Sequence, residues 1–164
     1  MRSKRFTGES GMIPSAFTCT GPSAVIIMLG INGAINNTFS TDVDPYTDYN
    51  DYANNATGRM CSLIEWLMEQ KPHAQIILAQ TTYVEKTIDS AHATQADRQN
   101  QYMYELVNRY NLPVIDVRTL MGINSKNYTD WLTSDGVHGT PVFYQKLGML
   151  FANQLKSILN VPNE

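Results

Sequence analysis

The chain has 164 residues, a net charge of −3, and 43% hydrophobic against 16% charged residues. That length and balance describe one globular domain with room for a core. The charge argues against a general nucleic-acid binder, and no apolar run approaches the ~20 residues that cross a bilayer.

Met1-Arg2-Ser3-Lys4-Arg5 is basic but has no apolar stretch behind it, so it does not read as a signal peptide. The sequence leaves the compartment open. Cys19 and Cys61 read as free thiols, because a domain of this size needs no staple. There is no CxxC, no HExxH and no glycine-rich phosphate loop, so no cofactor and no metal is expected.

The chain is expected to be a single domain, with an irregular segment over 1–23 and an α/β core over 24–160. Gly8-Glu9-Ser10-Gly11 reads as a turn. Ala24 to Leu29 is a continuous apolar run, as in a parallel strand buried on both faces. It stops at Gly30-Ile31-Asn32-Gly33-Ala34, where Asn32 can point an amide into a cleft past the strand end or simply occupy a turn. Residues 35–53 form a long polar loop mixing Asp42, Asp44, Asp48 and Asp51 with Tyr46, Tyr49 and Tyr52.

Helical spacing over about 55–70 puts Met60, Leu63, Ile64, Leu67 and Met68 on one stripe, and Lys71-Pro72 stops it. Gln75 to Gln80 is the next buried strand, and residues 84–94 a polar loop. A helix is predicted over 95–110 and a short strand over 114–117. Strand, helix, strand, helix, strand implies a parallel sheet with right-handed crossovers. Residues 118–134 connect to Asp135-Gly136-Val137-His138. Thr140 and Pro141 then open a last helix whose apolar stripe runs from Leu147 to Leu159. Three positions apart on a loop, Asp135 can orient His138 as a general base. His73 and His92 are expected to be solvated, with no acid at useful spacing.

Three stretches in this order resemble the SGNH (GDSL-like) hydrolase family. Gly8-Glu9-Ser10-Gly11 is similar to its second block, Gly30-Ile31-Asn32-Gly33 to its third with Gly33 in place of the usual Asp, and Asp135-Gly136-Val137-His138 to its fifth. The likeness spans nearly all of 8–159. It implies a flavodoxin-like three-layer α/β/α sandwich and a serine ester hydrolase acting on carbohydrate or lipid esters without a cofactor. His138 would take the serine proton, Asp135 would hold its tautomer, and the Asn32 amide and Gly11 N–H would bind the oxyanion.

The departure is the first block, whose Gly-Asp-Ser carries the nucleophile. Either Gly8-Glu9-Ser10 is a degenerate first block with Ser10 as nucleophile, or the first strand and its serine are absent. In the second reading the sheet is completed by a missing N-terminal segment or by another copy in a homo-oligomer. Two other functions remain open: a binding or structural module that keeps the pocket and lacks the nucleophile, and an unrelated ligand-binding domain. An Asp–His pair assembled in space would count against the last.

Overall fold

The structure is a computed structural model that describes residues 24–29 and 56–160. Among these the order is β1 (Ala24–Ile27), α1 (Ala56–Gln70), β2 (Gln75–Ala79), α2 (Ser90–Tyr110), β3 (Val114–Ile115), α3 (Val117–Met121), a 3-10 turn (Tyr128–Asp130) and α4 (Pro141–Ile158). The strands form a parallel sheet in the order β1-β2-β3. Register is fixed by Ala24 opposite Gln75 and Leu78 opposite Val114.

Strand periodicity divides the core in two. Successive side chains of β2 point to opposite faces. Ile76 and Leu78 join Met60, Ile64, Met103 and Leu106 of α1 and α2. Ile77 and Ala79 join Ile115 and Phe143, with Leu147, Phe151 and Leu155 of α4 packed behind them. The result is three layers, with α1 and α2 on one side of the sheet and α4 on the other.

Several sequence expectations shift. β1 ends at Ile27, and Ile26 is 38% and Leu29 53% exposed, so the run is not buried on both faces. Ile26 lies opposite Ile77, on the face that α4 covers, and does not join the cluster there. α2 begins at Ser90, five residues before the predicted start, because Asp89 caps it by accepting from the His92 N–H at 3.0 Å. β3 stops after Ile115 because Asp116 caps α3, accepting from the Thr119 N–H at 3.0 Å. Leu159 is 38% exposed and forms the end of α4 rather than part of its stripe. At the other end Thr140 does cap α4 and Pro141 fills its first turn. Cys61 is a free, buried thiol, as expected; Cys19 lies outside the described residues.

The segment just past β2 is tied to α2 by a polar bond set inside the core. Asn100 Oδ1 accepts from the Thr81 N–H at 2.8 Å and its hydroxyl at 2.9 Å, and Asn100 Nδ2 donates to the Thr81 carbonyl at 3.2 Å. Both residues are buried. Asn100→Ala leaves the Thr81 backbone groups without these partners, at a cost of about 1–3 kcal/mol. Chemical denaturation of the variant should show a lower midpoint and an unchanged slope.

Candidate active site

The loop carrying Asp135 and His138 is a tight hairpin between the 3-10 turn and α4. Leu132 and Gly139 form an antiparallel bridge at its base. The Thr133 N–H donates to the His138 carbonyl at 2.7 Å, the Gly136 N–H to the Thr133 carbonyl at 3.0 Å, and the Thr140 N–H to the Trp131 carbonyl at 2.8 Å. The turn needs a left-handed residue, and Gly136 supplies it at φ +70°.

Within this frame the Asp135 carboxylate is fixed at both oxygens. Oδ1 accepts from the Val137 and His138 N–H groups, both at 2.9 Å, and from the Thr133 hydroxyl at 2.8 Å. Oδ2 lies 2.7 Å from His138 Nδ1. The His138 N–H, then the Val137 N–H, then the His138 ring and Thr133 hold the carboxyl well below its ordinary range. A permanent carboxylate at Oδ2 selects Nδ1–H on the ring and leaves Nε2 as the basic nitrogen. The His138 side chain is 69% exposed, and among the described residues Asp135 is the group bonded to its ring.

The hairpin rests on the segment following β2, past the carboxyl ends of the strands, where open α/β sheets bind ligands. The Glu85 N–H donates to the Gly136 carbonyl at 2.9 Å. Val137 packs against the small cluster of Val84, Ala93 and Ala96.

A second Asp–His pair stands nearby, which corrects the expectation of a solvated His92. Its Nδ1 lies 2.7 Å from Asp89 Oδ2, and both side chains are 30% exposed. Asp89-Ser90-Ala91-His92 has the spacing of the fifth block, and that signal was available in the sequence. Here the carboxylate caps a helix, and its bonds to His92, backbone first, hold it below its ordinary range. Nothing in the sequence points to Glu85, a fully buried acid on the turn supporting the hairpin. Ser10, Gly11, Asn32 and Gly33, together with the 35–53 loop, lie outside the described residues. So the structure brings Asp135 and His138 together and does not bear on the oxyanion donors or the nucleophile. Among the described residues no helix is long and apolar enough to cross a membrane.

Comparison with curated proteins gives no match. Solved structures do match. A lipase/acylhydrolase from Enterococcus faecalis is 25% identical with a TM-score of 0.56, over 83% of this chain and 62% of that one. An acetylxylan esterase from Geobacillus stearothermophilus is 18% identical with a TM-score of 0.54, over 82% of this chain and 59% of that one. The chain thus spans less than two thirds of either protein's length. These likenesses agree with the layered sheet described above, and the fold is the flavodoxin-like α/β/α sandwich of the SGNH hydrolases. The model of the GDSL-like Lipase/Acylhydrolase family matches residues 10–146, most of the chain, and the chain belongs to that family.

Proposed function

We propose that this chain carries the acid–base half of a serine ester hydrolase. The observation that supports it most is the Asp135–His138 pair, with Oδ2 and Nδ1 2.7 Å apart and three donors fixing the other carboxylate oxygen. In the reaction, His138 Nε2 takes the proton of a serine hydroxyl as its oxygen attacks the ester carbonyl. Asp135 keeps Nδ1 protonated and stabilises the imidazolium that forms. The tetrahedral oxyanion is held by the Asn32 amide and the Gly11 N–H, and each such donor lowers the barrier by about 2.7–4 kcal/mol. The imidazolium then protonates the leaving alcohol. Water, activated by the same nitrogen, releases the acid from the acyl-serine.

The nucleophile is either Ser10 or a serine outside this sequence. An imidazole oriented by a fully bonded carboxylate and left 69% exposed past the strand ends supports an enzyme over a binding module. The test is labelling with a fluorophosphonate probe, with the adduct mapped by mass spectrometry. A serine adduct that disappears in His138→Ala is expected; a Ser10 adduct would place the whole triad in this chain. An adduct formed equally fast in His138→Ala would remove His138 from the reaction. A folded sample that takes no label would leave the nucleophile outside this chain.

A further inference from the structure

The turn after β2 buries a carboxylate that the reaction does not use. Glu85 is 2% exposed, and an acid so placed needs partners. Its Oε1 accepts from the Thr87 N–H at 2.9 Å and the Thr87 hydroxyl at 2.6 Å, and its Oε2 accepts from the Tyr83 hydroxyl at 2.8 Å. These bonds, with those from Thr87 foremost, hold the carboxyl below its ordinary range. Burial, and then the Glu85 carboxylate, push the Tyr83 hydroxyl up to about 12, so it remains a donor. Arg118 lies over the Tyr83 ring, 5.8 Å from its centroid, and pairs with Asp97 on α2.

The backbone of the same residue grips the hairpin. The Glu85 N–H donates to the Gly136 carbonyl at 2.9 Å, and the Glu85 carbonyl accepts from the Ile88 and Asp89 N–H groups at 3.1 and 2.9 Å. Gly136 comes so close that a Cβ there would stand 3.2 Å from Glu85 Cβ and 3.0 Å from Ile88 Cβ. Gly136 follows Asp135 directly, so this contact bears on the angle at which Asp135 and His138 leave the sheet.

We infer that Glu85 is a positioning residue for His138: its side chain locks the 83–89 turn, and that turn holds the Gly136 carbonyl and with it the Asp135–His138 pair. The kinetic consequences rest on the hydrolase reading; the geometric ones do not. Displacing a catalytic group by ~1 Å can cost about a hundred-fold in rate. Glu85→Ala should therefore lower kcat by roughly ten- to a hundred-fold, with KM within about two-fold of the parent. Glu85→Gln should restore most of the rate. The glutamine oxygen still accepts from Thr87, and the Tyr83 hydroxyl can turn to accept from the amide.

The test pairs those kinetics on an activated acetate ester with long-range 1H–15N spectra of the histidine rings. In Glu85→Ala the His138 nitrogen shifts should move toward those of the exposed His73, and in Glu85→Gln they should stay at the parent values. A folded Glu85→Ala whose His138 shifts and ring titration match the parent overturns the inference. So does a loss that glutamine fails to restore, which would make the role one of charge. Should Glu85→Ala not fold, Thr87→Val removes one donor to the same oxygen, and an unmoved His138 ring there overturns the inference equally. A parent protein inert toward esters would sink the hydrolase reading, while the ring spectra would still decide the role of Glu85.

Discussion

Asp135→Asn is expected to lower kcat about 10³–10⁴-fold while the fold stays intact. Donors and acceptors around the side chain decide the outcome. The Oδ1 position faces the N–H groups of Val137 and His138 and the Thr133 hydroxyl, so only the amide oxygen fits there. The amide nitrogen must then face His138 Nδ1, where the carboxylate Oδ2 had been. A donor facing Nδ1 makes that nitrogen an acceptor and moves the proton to Nε2. The ring then offers an N–H to the serine, where a base is needed. The ring 15N shifts should exchange between the two nitrogens, and this can be read whatever the substrate. A variant with the parent tautomer and a large rate loss would show that Asp135 acts by its charge instead.

The same bonds fix a pH dependence. The folded carboxyl of Asp135 titrates below its ordinary value near 3.8. Its bonds therefore contribute their full stabilisation above that value, and the contribution fades as pH falls through the folded pKa. Asp135 should therefore add no acid limb to the activity profile above about pH 4, its carboxylate being held below its ordinary value.

What the sequence showed well is what local chemistry decides. An apolar run becomes a strand, and Thr140-Pro141 opens α4 because both its capping oxygen and its fixed φ suit that position. The Asp135–His138 pair was legible for a related reason: three residues of separation on a turn let a side chain reach back to the ring. That spacing is not diagnostic by itself. Asp89 and His92 make the same 2.7 Å contact at the start of a helix. The difference lies in what surrounds the carboxylate, a helix N-terminus in one case and a glycine turn pressed on a neighbouring loop in the other. Glu85 could not be found this way. Its burial depends on Tyr83 and Thr87 folding over it and on Gly136 arriving from far along the chain, and none of this has a period or a motif. The exposure of Ile26 was equally hidden, because an apolar run does not say how far the helix on each face reaches across the strands.

Gly139→Ala is expected to destabilise the fold by about 1–3 kcal/mol, the usual range for forcing extra volume into a packed site. A Cβ at Gly139 would lie 2.5 Å from Cγ of the Phe143 ring, 2.7 Å from Cε1, and closer still to Cδ1. Phe143, in the first turn of α4, is buried in the core, and its N–H is bonded to the Thr140 cap at 3.3 Å. The ring also meets Tyr144 edge-on, with centroids 5.1 Å apart. Either the ring yields or the backbone of Gly139 does. If the ring yields, part of a phenylalanine leaves the core and the hairpin keeps its shape. If the backbone yields, the Leu132–Gly139 bridge and the Thr133-to-His138 bond are disturbed, and His138 moves with them. Thermal unfolding together with the His138 ring spectra separates these routes. A lower Tm with an unchanged ring means the core absorbed the methyl group; a lower Tm with a shifted ring means the hairpin did. Adding Phe143→Leu should recover part of the loss, because the two substitutions meet at one point and their effects cannot simply add. A Gly139→Ala protein within about 0.5 kcal/mol of the parent, the range of ordinary surface changes, would show that this contact does not constrain the loop.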